Sequence, residues 1–172
     1  MEEPSPRCHE VLERLLRAHE GYFDVQRDHG FAGRTFEGYA EFHGSTSRYV
    51  LSKRAKLWEA NSHEYLFFTL AGHLDQDAYD ELVGFMKTEA LAKITLGPDH
   101  MNSFLSLVVI ADSTDAQIAR RVRTTRYRKN FQLGLKGWAV LRVCVVSLDD
   151  GAVYANTMGK DMAKTLAANA FG

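Results

Sequence analysis

"EYLFFTLAGHLDQDAYDELVGFMKTEALAKI", residues 64–94, decides the fold because an apolar run passes directly into a helical pattern. Residues 65–72 contain no charge, which is typical of a central strand covered on both faces. Beyond them Asp75 is available as an N-cap. Apolar side chains then recur at helical spacing and form a wide stripe, made of Leu74, Ala78, Leu82, Val83, Phe85, Met86, Ala90 and Ile94. The stretch therefore predicts a buried strand followed by a long helix.

The sequence that follows predicts more strands and helices. "SFLSLVVIADS", residues 103–113, has the composition of a second buried strand. Thr114 and Gln117 stand at capping-box spacing before a short helix whose inward residues are Ile118 and Val122. Residues 127–156 predict two or three strands with "DDG" as a turn, and residues 157–171 predict a closing helix.

Before residue 64 the sequence predicts a helix and two strands. Residues 7–20 form an amphipathic helix that ends at Gly21. Its apolar face comprises Val11, Leu12, Leu15, Leu16 and Ala18. "DVQRDHGFAGR", residues 24–34, has two glycines and scattered charge, which favours a loop. Alternating runs at 34–44 and 47–60 predict strands that complete a three-strand meander with the run at 64–72.

These elements define the fold class as α+β / α/β, with a single mixed β-sheet and about four helices packed on it. The 172 residues are 45% hydrophobic and 25% charged, a composition typical of an ordinary globular domain. No linker interrupts them, so we expect a single domain over residues 1–172, with residues 1–7 frayed.

Cysteine usage and the N-terminus favour the cytoplasm of a bacterium. Cys8 lies in a segment that we expect to be mobile, and Cys144 lies in the apolar run "VLRVCVVSL", so a disulfide is not expected. The first ten residues have no apolar stretch typical of a signal peptide, and no window is long enough for a membrane span.

The basic segment at residues 120–136 is the main candidate binding region. Eight Lys or Arg residues and no acid lie between Asp115 and Asp149, although the whole chain has a formal net charge of −1. The predicted site residues are Arg120, Arg121, Arg123, Arg126, Arg128 and Lys129, with Tyr127, Phe131 and Trp138 as stacking surfaces. Three interpretations stay open: a solvated face, a nucleic-acid or polyanion surface, and arginines engaged in internal ion pairs. The sequence pI of about 6.7 argues against a dedicated nucleic-acid binder.

Candidate catalytic residues are few. Glu37, Glu41 and His43 share one side of a predicted strand together with Tyr39, while Phe36, Ala40 and Phe42 lie on the other. This polar column could provide acid and base groups for a metal-assisted hydrolase if it faced a cleft, and it is otherwise the solvated side of an edge strand. The seven histidines have no metal-ligand spacing, so no metal and no cofactor are expected.

The element order over residues 10–146 is similar to the core of the PD-(D/E)xK nuclease fold. That resemblance implies a metal site built from an acid near the second strand and an acid-x-Lys triplet on the third. "FFTL", residues 67–70, stands where the triplet belongs, and "EFH", residues 41–43, lacks the lysine. The resemblance thus implies a nuclease-like scaffold without nuclease chemistry.

"EYLFF", "DHMNSFLSLVVI" and "FQLGLKGWAVLRV" together resemble an uncharacterised family of short bacterial proteins of unknown function. The family implies no activity. We therefore expect a non-catalytic binding or regulatory module, present as a homodimer through an exposed strand or its aromatic residues. Nucleic-acid binding and metal-assisted hydrolysis of phosphodiesters are the alternatives.

Overall fold

A computed structural model describes residues 2–43, 62–92, 102–134 and 137–172. The helices of this part are α1 (Pro6–His19), α2 (Gln76–Phe85), α3 (Ile118–Thr124) and α4 (Lys160–Phe171). A π turn, Met86–Ala90, extends α2. The strands are β1 (Asp24–Phe31), β2 (Arg34–His43), β3 (Ser62–Leu74), β4 (Asn102–Thr114), β5 (Arg128–Asn130), β6 (Trp138–Ser147) and β7 (Ala152–Ala155).

The seven described strands form one mixed sheet in the order β1-β2-β3-β4-β6-β5, and β7 also pairs with β6. The first three strands are an antiparallel meander, while β3, β4 and β6 are parallel. Residues of β5 pair with one half of β6 and those of β7 with the other half. The structure therefore confirms the predicted fold class, with one mixed sheet and, among the described residues, four α-helices.

Helices cover both faces of this sheet. Side chains of α2, its π turn and α3, including Leu82, Met86 and Val122, pack with Phe67 and Val109 on one face. On the other face α1 and α4 pack against a second buried cluster of strand residues. Since β3, β4 and β6 contribute residues to the buried clusters on both faces, these strands need apolar residues at successive positions, as their sequences show.

The loop predicted for residues 24–34 is wrong, because most of this segment forms strand β1. Its side chains are mostly exposed because it lies at the edge of the sheet, so its sequence lacks the apolar alternation of a half-buried strand. A two-residue turn joins it to β2, with positive φ at both Ala32 (48°) and Gly33 (78°). Consecutive positive φ angles match the right-handed twist of a hairpin. The meander consists of β1, β2 and β3, and the run at 47–60 lies outside the described residues.

β2 also differs from the prediction. Tyr39 is fully buried rather than part of a solvated column, because β1 and β3 flank β2 and both faces are covered. The β1–β2 ladder is interrupted at Asp28, which has a φ of 51°, and at Glu37, since the register pairs neither residue. Phe36 and Tyr39 consequently join the same core cluster, against the simple alternation expected of a strand.

The helix boundaries confirm some local signals and correct others. Asp75 caps α2 as predicted, since its carboxylate accepts a hydrogen bond of 2.8 Å from the Ala78 N–H. The capping box predicted at Thr114 is wrong, because Thr114 still belongs to β4 and Gln117, the N-cap of α3, makes no side-chain capping bond. Ala18 of α1 is exposed, whereas the other four predicted apolar positions are buried.

The N-terminal residues pack against the end of β3. The Gly72 N–H donates to the Glu2 carbonyl at 3.0 Å, and a Cβ at Gly72 would lie 2.5 Å from the Glu3 carbonyl oxygen. Cys8 is fully buried in α1 rather than mobile. Burial is the main cause that raises the pKa of Cys8 to about 12, and burial likewise raises the pKa of Cys144 to about 12. Both thiols are therefore protonated and free.

Candidate functional site

The basic segment forms an exposed cationic surface, defined here as the described residues of α3, β5 and the three residues between them. All six predicted binding residues within it are exposed. Ile118 and Val122 turn towards the core, as predicted from their spacing, so the arginines of α3 face away from the sheet. Lys136 lies outside the described residues.

Only one of the six cations is paired to a described carboxylate. Arg121 donates to Asp80 of α2 through two nitrogens, with Nε 2.9 Å from Oδ1. This hydrogen bond and the Asp80 charge raise the pKa of Arg121. Within the described ranges the other five form no ion pair; they are Arg120, Arg123, Arg126, Arg128 and Lys129. Of the six predicted binding residues, only Arg121 therefore fits the interpretation of arginines engaged in internal ion pairs, within the part of the chain that is described.

An aromatic row leads from the cationic surface onto the sheet. The Arg128 guanidinium lies 5.0 Å from the centre of the Trp138 ring, and Trp138 meets Phe104 edge-on at 5.4 Å. Phe104 in turn lies 4.6 Å below the guanidinium of Arg142. The row thus runs from Arg128 through two adjoining rings to Arg142 along strands β5, β6 and β4, and the guanidinium at each end lies over an aromatic face, a contact that stabilises the cation.

Arg142 ends this row in an ion pair. Its Nη2 is 2.8 Å from Glu64 Oε2, and its Nε donates to Ser106 Oγ at 2.9 Å. The side chain of Arg142 is only 14% exposed and that of Glu64 26% exposed. Because Arg142 and Glu64 neutralise each other in this ion pair, Arg142 is an internal structural cation rather than part of the cationic surface.

The other predicted stacking residues are partly buried. Tyr127 and Phe131 pack against the core cluster that contains α2 residues, and the Lys87 ammonium lies 5.6 Å from the Tyr127 ring centre. Of the three aromatic residues predicted for stacking, Phe131 lies 5.8 Å from the Lys129 ammonium, and Trp138 is the one that belongs to the aromatic row.

The structure gives Glu37 and Glu41 separate structural roles. The carboxylate of Glu37 accepts the Leu70 N–H at 3.2 Å, beyond the point where the β2–β3 ladder ends. Glu41 accepts a hydrogen bond from the Tyr39 hydroxyl. Burial, followed by this hydrogen bond, raises the pKa of Tyr39 far above its ordinary value. Of His43 only the backbone is described, and it pairs with His63.

No group of three or more His, Cys, Asp or Glu side chains suited to a metal ion occurs in the described ranges. The carboxylates of Glu37 and Glu41 each bind a different protein donor. The proposed metal-assisted chemistry at Glu37, Glu41 and His43 consequently has no geometric support from the side chains described.

A second polar cluster was not apparent from sequence. His73 at the end of β3 contacts both Ser113 and Asp115 at the end of β4. Forty residues separate His73 from Ser113, so no local motif joins them. The signal that could have indicated them is positional, since each residue ends a buried strand run, where parallel strands bring polar groups together.

These observations define an α+β protein with a helix layer on each face of one mixed sheet, an exposed cationic surface and a polar cluster at the carboxyl ends of two parallel strands. The chain belongs to the family described as "Domain of unknown function (DUF8052)", which matches residues 7–168. This confirms the resemblance to an uncharacterised family. No curated protein matches the chain, and no solved structure matches it.

Proposed function

We propose that this protein is a binding module for polyanions, with nucleic acid as the ligand class, and that the cationic surface is its binding site. The observation that carries the proposal is that five exposed cations there are paired with no described carboxylate, while Arg121 and Arg142 of the same region are paired. Cations that stabilise the fold would show carboxylate partners, as these two do.

Phosphate binding explains this arrangement physically. Each Lys or Arg that neutralises a phosphate releases condensed counterions, so affinity depends steeply on salt. Trp138, partly exposed beside Arg128, adds an aromatic ring at the border of the surface. The near-neutral pI of the whole chain does not oppose this mechanism, because the charge is segregated along the sequence.

The test is fluorescence anisotropy of labelled single- and double-stranded oligonucleotides at about 50 and 200 mM salt. Five phosphate contacts predict a loss of affinity of roughly 500-fold between these conditions. Saturable binding with that dependence supports the proposal. An absence of binding at the lower salt concentration would contradict it, and would favour a solvated face.

We further propose a cytoplasmic, bacterial location and a homodimer. Two buried, free cysteines agree with a reducing compartment. No helix in the described part of the chain is long and apolar enough to cross a membrane. For the dimer, β1 is the edge strand that a second copy could extend. Light scattering at high micromolar concentration tests the dimer, and a strictly monomeric mass would exclude it.

A further inference from the structure

Serine, histidine and aspartate side chains form a hydrogen-bonded chain at the carboxyl ends of β3 and β4. His73 Nδ1 lies 2.7 Å from Ser113 Oγ, and His73 Nε2 lies 3.0 Å from Asp115 Oδ1. When Nε2 carries the proton and donates to Asp115, Nδ1 can accept the proton of the Ser113 hydroxyl; the other acceptor within reach of that hydroxyl, the Gly72 carbonyl, is farther away at 3.4 Å. This tautomer is the one that a general base requires.

The backbone holds this chain in place. His73 and Ser113 are direct partners in the parallel β3–β4 ladder, so their side chains leave adjacent strands side by side. The Asp115 N–H donates to the Leu74 carbonyl at 3.0 Å, which ties Asp115 to the same strand end as His73. Groups held on strands in this way need little reorganisation before they react.

Nucleophilic catalysis needs a hydroxyl within hydrogen-bond reach of a base that a third group orients. All three requirements are met by distances described above. The side chains of His73 and Asp115 are 34% and 41% exposed, so a small molecule in solvent can reach them. We propose that Ser113 is a nucleophile for acyl transfer, with His73 as its general base and Asp115 as a positioning residue.

The charge around the cluster selects the substrate class. The Asp149 N–H donates to the Asp112 carbonyl, which brings the acidic turn at 149–150 to the same edge, while the carboxylate of Asp112 itself binds Ser5 of the N-terminal segment. Asp75 follows β3 at this edge as well. Carboxylates here repel anions, so the fitting substrates are small carboxylic esters that are neutral or positively charged rather than phosphate esters.

The reaction proceeds in two balanced steps. In the first, the proton of Ser113 Oγ moves to His73 Nδ1 as the oxygen bonds to the ester carbonyl carbon; the carbon–alkoxy bond then breaks, and the alcohol leaves with that proton. In the second, His73 takes a proton from water as the hydroxide bonds to the acyl carbon, and the acyl carbon–Ser113 Oγ bond breaks with return of the proton to Oγ.

The first experiment is active-site labelling with an uncharged alkyl fluorophosphonate, followed by intact mass and peptide mapping. Ser113 Oγ bonds to phosphorus, fluoride leaves, and the proton passes to His73. We expect one phosphonyl group per chain, located on Ser113. His73→Gln should slow labelling at least about a hundredfold, and Ser113→Ala should abolish it.

Further variants separate catalysis from structure. Asp115→Asn should slow labelling, and Asp115→Glu should restore part of the rate if the carboxylate orients His73. Thr114→Ala is the matched control, since it removes a neighbouring hydroxyl that does not take part in the Ser113–His73–Asp115 hydrogen bonds. This variant should be labelled at the wild-type rate. Hydrolysis of p-nitrophenyl acetate should follow the same order, whereas p-nitrophenyl phosphate should not be hydrolysed.

Three results would overturn the proposal: wild-type protein unmodified at Ser113 under a large excess of probe, equal labelling rates for wild type and His73→Gln, or ester hydrolysis that survives Ser113→Ala. The first uses the wild-type chain, so it does not depend on whether a variant folds. The oligonucleotide titration is independent of this outcome, because the two proposals share no residue.

Discussion

The cationic surface and the carboxyl ends of β3 and β4 use polar residues in opposite ways. At the strand ends, polar side chains bind one another: Ser113, His73 and Asp115 form one chain, and Ser5 donates to Asp112 beside it. On the cationic surface five exposed cations lack a described carboxylate partner. Side chains held by neighbours have the fixed geometry that a reaction needs, whereas unpaired cations remain available for a charged ligand.

The largest effect should follow from charge reversal on the cationic surface. Arg123→Glu combined with Arg126→Glu removes two phosphate contacts and adds repulsion. We expect oligonucleotide affinity at low salt to fall at least about a hundredfold. The salt slope, which is the slope of log affinity against log salt concentration, should become smaller in magnitude by about 2. The melting temperature should change by less than about 2 °C, since neither arginine is paired with a described carboxylate.

Lys160→Glu with Lys164→Glu is the matched control for this prediction. It changes the net charge equally on α4, which covers the opposite face from α2 and α3. Equal loss of affinity in both variants would mean that overall charge, rather than this surface, governs binding. A large loss of stability in the arginine variant would instead indicate ion pairs.

The next largest effect concerns Arg142, a cation of the same region that is paired internally. Arg142→Met leaves the half-buried Glu64 without its partner, so the free energy of unfolding should fall by about 2–3 kcal/mol. Denaturant unfolding measures this change. Adding Glu64→Gln to that variant should recover part of the loss, because no uncompensated charge then remains. If the double variant were no more stable than Arg142→Met, the pair would not be the cause.

A smaller, pH-dependent effect is expected at Asp112. Burial raises the pKa of this carboxyl, but hydrogen bonds from Ser5 and Cys8 and the charge of Arg7 outweigh burial and hold it below its ordinary value. Its contribution to stability is therefore present above a pH of about 4 and lost as the pH falls further.

Asp112→Asn should lower the free energy of unfolding by about 1–2 kcal/mol at neutral pH. The difference between the variant and wild type should shrink as the pH falls below about 4, which unfolding curves between pH 3 and 7 can follow. A difference that stays constant across this range would show that the carboxylate charge is not what stabilises the N-terminal segment.

The smallest effect is expected at Arg121. Its pair with Asp80 is exposed on both sides, with about half of each side chain in solvent. Arg121→Ala should change the melting temperature by less than about 2 °C, and it should change the salt slope less than Arg123→Ala does. Equal salt slopes for Arg121→Ala and Arg123→Ala would mean that a cation paired with a carboxylate and one without such a described partner contribute equally to binding.

The sequence predicted the central elements because burial leaves a local trace. β3 and β4 show unbroken apolar runs, and Ile118 and Val122 identify the inward side of α3. β1 left no such trace, since a strand at the sheet edge keeps polar side chains on both faces. Exposure of the arginines could be inferred from helical spacing, but the Arg121–Asp80 pair depends on how α2 and α3 pack.

The Ser113 cluster depends on register alone. A shift of one residue in the β3–β4 ladder would turn Ser113 away from His73, and no short motif encodes that alignment. Similarly, simple alternation predicts Tyr39 on the polar side of β2, whereas the β1–β2 ladder is interrupted at Asp28 and Glu37 and Tyr39 lies in the core.

The topology also affects the order in which the strands pair during folding. The β1–β2 hairpin closes through the two-residue turn at Ala32 and Gly33, so its pairs lie near each other in sequence and can form within microseconds. The first β3–β4 pair joins Ser62 to Asn102, and its long loop must close before any contact is gained. We therefore expect the strand with the weakest sequence pattern to form early, and the strands with the strongest pattern to pair late.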